Sequence, residues 1–85
     1  MLTIKQNNLR ILAIEHGERV NNYIDCDVIY SGIQTLKGFD EYADAQHVST
    51  AICFLDSAIN YRKQDAKSTK YAEDFLDSMK TDLEA

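Results

Sequence analysis

Residues 40–63 read DEYADAQHVSTAICFLDSAINYRK, and this stretch decides the fold. Ala45, Val48, Ile52, Leu55 and Ile59 recur at alternating steps of three and four. That spacing puts them on one face of an α-helix. A second set, Ala51, Phe54, Ala58 and Tyr61, lies beside the first. The two sets together cover roughly half the circumference at ~100° per residue, which marks a central helix with neighbours on two sides. Asp40 is the expected N-cap, with Glu41 and Asp44 adding negative charge where the helix dipole favours it. Arg62 and Lys63 supply the complementary sign at the other end.

Working outward toward the C-terminus, residues 63–67 are polar and read as a short connection, with Asp65 or Ser68 available to cap a following helix. From Ser68 to about Leu83, Ala72, Phe75, Leu76, Met79 and Leu83 form one stripe. Glu73, Asp74, Asp77 and Lys80 fall opposite. Two amphipathic helices joined by a short link predict an antiparallel helical hairpin.

Toward the N-terminus the pattern admits two readings. As a helix from Thr3 to Ile24, the segment places Leu9, Leu12, Ala13, Val20, Tyr23 and Ile24 on one stripe, with His16 near its centre. Gly17 is the weak point, costing about 1 kcal/mol against alanine, and a first helix ending at His16 is the alternative. As strand, Val20, Ile24, Cys26, Val28 and Tyr30 alternate with Asn21, Asp25 and Asp27, so residues 9–15 and 20–30 would form a β-hairpin. Asn22, Tyr23 and Ile29 break that alternation. Val28, Ile29, Ile33, Leu36 and Phe39 fit a helical face, with Lys37-Gly38 as its end. The sequence contains no proline, which leaves helical hydrogen-bond ladders uninterrupted. The expected fold is therefore all-α, a single domain over residues 1–85 built from three or four helices with a C-terminal antiparallel hairpin. The rival is α+β with an N-terminal β-hairpin.

Composition narrows the function. A net charge of −5 opposes direct nucleic-acid binding, which requires basic residues to displace counterions from phosphates. The longest apolar run, Ala51-Ile52-Cys53-Phe54-Leu55, is far shorter than a membrane span. The N-terminus, Met1-Leu2-Thr3-Ile4-Lys5-Gln6-Asn7-Asn8, has no basic segment leading into an apolar one, so the expected compartment is the reducing cytoplasm. Cys26 and Cys53 are then expected as thiols. With His16 and His47 they form no closely spaced ligand pair, so neither a metal nor any other cofactor is expected. His47 and Cys53 are six residues apart on one helix and point in different directions, so they cannot share a proton. No glycine-rich phosphate loop and no nucleophile elbow occurs. Catalysis is not expected.

What remains is binding. On a single N-terminal helix, Ile4, Ile11 and Ile14 would lie opposite the main stripe as an exposed apolar patch. That patch is the expected partner-binding site, serving a homodimer or higher oligomer and another protein besides. Glu73, Asp77 and Asp82 form an acidic patch, in which Glu73 and Asp77 stand one turn apart. Its ordinary role is solvation; its sharper role is to stand in for phosphates as a decoy for a nucleic-acid-binding protein. A third reading places a small-molecule pocket between subunits, built from Tyr23, Tyr30, Tyr42 or Tyr61 with Arg10, Arg19 or Arg62 gripping an anion. Small acidic chains of this kind are frequent among phage, plasmid and accessory bacterial regulators and inhibitors, an association from size and charge alone.

Overall fold

The computed structural model describes residues 1–24, 26–63 and 70–84. Four helices account for nearly all of them: α1 (Ile4–Ile24), α2 (Asp27–Lys37), α3 (Ala45–Lys63) and α4 (Lys70–Glu84). No strand occurs among the described residues, so the β-hairpin alternative falls and the chain is a small all-α bundle.

Local chemistry sets the helix starts. Thr3 and Gln6 form a reciprocal capping box at the head of α1: Gln6 N–H donates to Thr3 Oγ1 at 3.0 Å, and Thr3 N–H donates to Gln6 Oε1 at 2.9 Å. The preceding Leu2 is buried, and its N–H donates to Glu41 O at 2.8 Å, which ties the N-terminus to the turn before α3. Cys26 holds extended backbone at the head of α2 and donates its N–H to Asn21 Oδ1 at 3.1 Å. The far end of α2 is held by Arg10, whose Nη1 donates to Phe39 O at 3.1 Å and to Leu36 O at 3.4 Å. A cation at a helix C-terminus meets carbonyls that lack helical partners.

The cap of α3 differs from the sequence expectation. Asp44, not Asp40, receives the first amides: its Oδ1 accepts from Gln46 N–H at 2.8 Å and His47 N–H at 3.3 Å. Asp40 instead closes a turn, accepting from Tyr42 N–H at 2.9 Å through Oδ1. Both aspartates have capping chemistry. The turn leading out of Gly38 uses the first, so the helix starts one turn later. Of the two residues expected to cap the last helix, Asp65 and Ser68, both lie outside the described residues.

α1 and α3 form the central pair, each packing against the other three helices, while α2 and α4 pack on that pair without meeting one another. The bundle spans 39 × 25 × 15 Å over its Cα atoms. A 15 Å thickness accommodates two helix layers at ordinary interaxial distances, and no more. The deep core is correspondingly narrow: Val48, Ile52, Leu55 and Ile59 of α3, Ile29 and Leu36 of α2, and Phe75 of α4 are all 0% exposed.

Glycines allow the closest approaches. A Cβ on Gly17 would lie 3.0 Å from Ile33 Cγ1 and 3.1 Å from Leu55 Cδ2, and one on Gly32 would lie 3.1 Å from Leu55 Cδ1. Leu55 thus fits between two glycines on two helices. This is why α1 continues through Gly17 instead of ending at His16: packing against Ile33 and Leu55 offsets the weak local propensity. No helix among the described residues is long and apolar enough to cross a membrane.

Candidate functional site

The expected patch on α1 is only partly present. Ile4 is 84% exposed and Ile11 40%, but Ile14 is 9% exposed and belongs to the core. Leu12 and Tyr23, expected on the buried stripe, are 42% and 86% exposed. The buried arc of α1 runs instead through Gln6, Leu9, Ala13, Gly17 and Val20, and widens to Ile14 because three helices surround it. A single stripe describes a helix with one neighbour, and α1 has three. Ile4 and Ile11 remain on the outer face among charged and polar residues such as Lys5, Asn8 and Glu15.

A more continuous apolar surface lies across α2 and α3. Ile29, Ile33 and Leu36 turn α2 inward, which leaves Val28 47% exposed. Val28 was expected on the buried face; the stripe at steps of four and three excludes it. On α3 the first stripe is fully buried from Val48 to Ile59, with Ala45 half-buried, and the second set rises to the surface at Phe54 and Tyr61. Ala51 is buried and Ala58 half-buried, but Phe54 is 51% and Tyr61 81% exposed.

Phe54 stands between two open hollows. One, of about 370 Å³, runs along Ser31 and Thr35 of α2, Phe39, and His47 and Ala51 of α3. The other, of about 280 Å³, is walled by Cys26, Val28, Ser57, Ala58 and Tyr61. Among the described residues, no Asp, Glu, Lys or Arg lines either hollow. In a chain that is 27% charged, such a strip is distinctive, because charge depletion is the compositional mark of an interface core. His47, at the first turn of α3, is exposed at one end of this surface. Cys26 and Cys53 are not joined by a disulfide, and burial pushes the Cys53 thiol up, with Asp56 adding to the rise. A third hollow of about 130 Å³ between α1 and α2 is smaller and polar, bordered by the Lys37–Glu18 ion pair at 3.1 Å.

The remaining expected residues are dispersed. Glu73 and Asp77 are exposed on α4, and the side chain of Asp82 lies outside the described residues. Tyr23, Tyr30, Tyr42 and Tyr61 are all exposed, on four different segments, and enclose no common pocket. Arg10 is engaged with the end of α2, and the side chain of Arg62 is outside the described residues. No group of three or more potential metal ligands gathers among the described residues.

One group escaped sequence reasoning altogether. Asp56 is 2% exposed, its Oδ2 accepts from Ala72 N–H at 3.1 Å, and its Oδ1 meets no donor among the described residues. Burial pushes its carboxyl up to about 6; the Ala72 hydrogen bond opposes this and the Glu73 charge adds to it. The signal was available: Ile52, Asp56 and Ile59 are spaced by four and three, which sets an acid beside a stripe that must be buried.

Comparison with models of known protein families, with curated protein sequences and with solved structures finds no match to this chain.

Proposed function

We propose that this chain is a small acidic protein-binding module acting through an apolar helix face, that the face is the α2–α3 surface centred on Phe54, and that its occupant is a second copy of the chain. The observation that carries this reading is the absence of charge among the described residues along both hollows flanking Phe54. Two acidic chains repel at long range, and the surface they bring together must be one that carries no part of the −5 net charge. A strip of this kind is self-complementary under a two-fold axis, the commonest symmetry of small oligomers. Phe54 and Tyr61 between them offer roughly 300 Å² of exposed aromatic surface. That is a suitable apolar centre for the ~800 Å² per partner that a stable interface buries. A body only two layers thick gains from covering it, since chains of this size have little core of their own. A regulatory or inhibitory role on a further protein would use the same assembly. Catalysis is no part of this reading. The acidic-decoy alternative has no specific support, because exposed Glu73 and Asp77 on an outer helix face are ordinary solvation.

The test is sedimentation equilibrium on the full chain with two variants. Wild type is expected as a dimer, Phe54→Asp as a monomer with unchanged helical circular dichroism, and Ile11→Asp as a dimer like wild type. A monomeric wild type, or a Phe54→Asp variant that still dimerises, rejects the α2–α3 face. Loss of the dimer in Ile11→Asp alone returns the interface to α1.

A further inference from the structure

The carboxylate of Asp56 lies at the junction of α3 with α4, almost wholly buried, and accepts a hydrogen bond from the first turn of α4 at Ala72. Nothing in the interaction surface on the other side of α3 uses it. Among the described residues of α4, Ala72, Phe75 and Ser78 are buried, and the rings of Tyr71 and His16 lie 5.1 Å apart at a tilt. α4 meets α1 and α3 alone. A helix attached along one side, with an acid beneath its N-terminal turn, is the element most sensitive to that acid's charge.

We propose that Asp56 is a proton-operated latch on α4: its protonated carboxyl tightens the docking of α4 onto α1 and α3, and its ionised carboxylate loosens it. The physical reason is solvation. In the docked state one carboxylate oxygen is answered by the Ala72 amide, while the other meets no donor among the described residues. A buried anion with half its hydrogen-bonding capacity unanswered is disfavoured against the same anion in water. When α4 lifts away, Asp56 regains solvent. Docking therefore holds the proton more tightly than the undocked state does. Burial accordingly moves the group from 3.8 to about 6 in the docked state. A group whose docked value is raised favours docking when protonated, and that contribution fades as pH climbs through about 6.

Among the described residues, the other titratable groups at the junction are Glu73 and Tyr71 on α4, Cys53 on α3 and His16 on α1. Glu73 works in the same direction, since its negative charge disfavours a second one on Asp56. Histidine is the side chain type that ordinarily changes charge in this pH range, and His16 lies against Tyr71 of α4. The experiment therefore separates it from Asp56.

The measurement is amide hydrogen exchange on the full chain, corrected for intrinsic rates, with protection of α4 expressed relative to α2. For wild type, that relative protection is expected to fall on the order of tenfold between about pH 5 and about pH 7.5, the part of a two-unit shift spanned by that window. Asp56→Asn keeps an acceptor for Ala72 N–H and carries no charge. It is expected to flatten the dependence with α4 protected at both values, while His16→Asn retains it. A carbon-detected NMR titration of the Asp56 carboxyl in wild type, expected to show its midpoint near 6, stands independently of how any variant folds. Relative protection that does not change with pH, a dependence that survives Asp56→Asn, one abolished by His16→Asn, or a carboxyl midpoint in the ordinary aspartate range each overturns the latch.

Discussion

Replacing Gly32 with alanine sets two known effects against each other. Local propensity favours the change, since alanine in the middle of a helix is about 1 kcal/mol better than glycine. Packing opposes it. The new Cβ would lie 3.1 Å from Leu55 Cδ1, 3.3 Å from Leu55 Cβ and 3.5 Å from Leu55 Cα. Leu55 is 0% exposed and has no room to retreat, because its other methyl, Cδ2, lies 3.1 Å from where a Cβ on Gly17 would stand. Rotating it away from α2 drives it into α1, so α2 and α3 must separate by a few tenths of an ångström. Overpacking of this kind costs ~1–3 kcal/mol. Set against the propensity gain, the net loss is about 1 kcal/mol, and Tm falls by roughly 4–8 °C for a domain this size. Thermal unfolding followed by circular dichroism reads it directly. The other two glycines provide a graded comparison. Gly17→Ala meets side-chain atoms only, Ile33 Cγ1 at 3.0 Å and Leu55 Cδ2 at 3.1 Å, and should lose less. Gly38→Ala meets only carbonyl oxygens of its own turn, at 3.4 and 3.7 Å, in an ordinary right-handed conformation with φ −74°. It should match or exceed wild type, because the alanine chain has less freedom to lose on folding. A Gly32→Ala protein that melts at or above wild type would show that the close contact between α2 and α3 is wrong.

Phe75→Ala removes the largest fully buried side chain and the main anchor of α4, and should cost ~3–5 kcal/mol in urea unfolding, while Phe75→Leu recovers most of the loss. A Phe75→Ala variant within experimental error of wild type would mean that α4 is not docked as described. Asp44→Ala should weaken amide protection at the start of α3, and Asp44→Ser should restore it. Hydrogen bonds from Gln46 and His47 N–H hold the Asp44 carboxyl below its usual value of 3.8. Its contribution is therefore present above the unfolded value and lost as pH falls through the folded one. Wild type and Asp44→Ala should thus converge in acid, and a gap that persists there argues against Asp44 as the cap.

The pH responses of the two aspartates differ in sign for a reason that lies in their surroundings. Asp44 stands exposed before a helix whose free amides turn toward it, so its ionised form is favoured. Asp56 also meets the head of a helix, yet burial outweighs the single hydrogen bond it receives from Ala72. A helix N-terminus favours a carboxylate only when water or further donors satisfy the rest of it.

The 3.6-residue period was enough to find the two C-terminal helices and to favour an all-α bundle of three or four, because the burial stripe of a helix is written by residues one turn apart; toward the N-terminus it left a β-hairpin open, which the structure removes. The stripe Val48, Ile52, Leu55 and Ile59 identified α3 as central, and Ile29, Ile33 and Leu36 carried α2 against the weaker strand-like alternation around them. The capping box Thr3-x-x-Gln6 went unread in the sequence, although it is the kind of local signal that survives without a tertiary context. Three matters depended on the assembled bundle. Which arc of α1 is buried was settled by three neighbours at once, and this moved Ile14 inside and Leu12 and Tyr23 outside. The start of α3 was settled by a turn that Leu2 fastens from just before the head of α1, choosing Asp44 over Asp40. And the surface at Phe54 exists because α2 ends its inward stripe beside the second row of α3 and leaves it uncovered. Periodicity states which side chains share a face, since that follows from bonded geometry along one chain. It is silent on which faces meet, because that is decided by contacts between residues distant in sequence, where the fit of Leu55 between Gly17 and Gly32 outweighs any local preference.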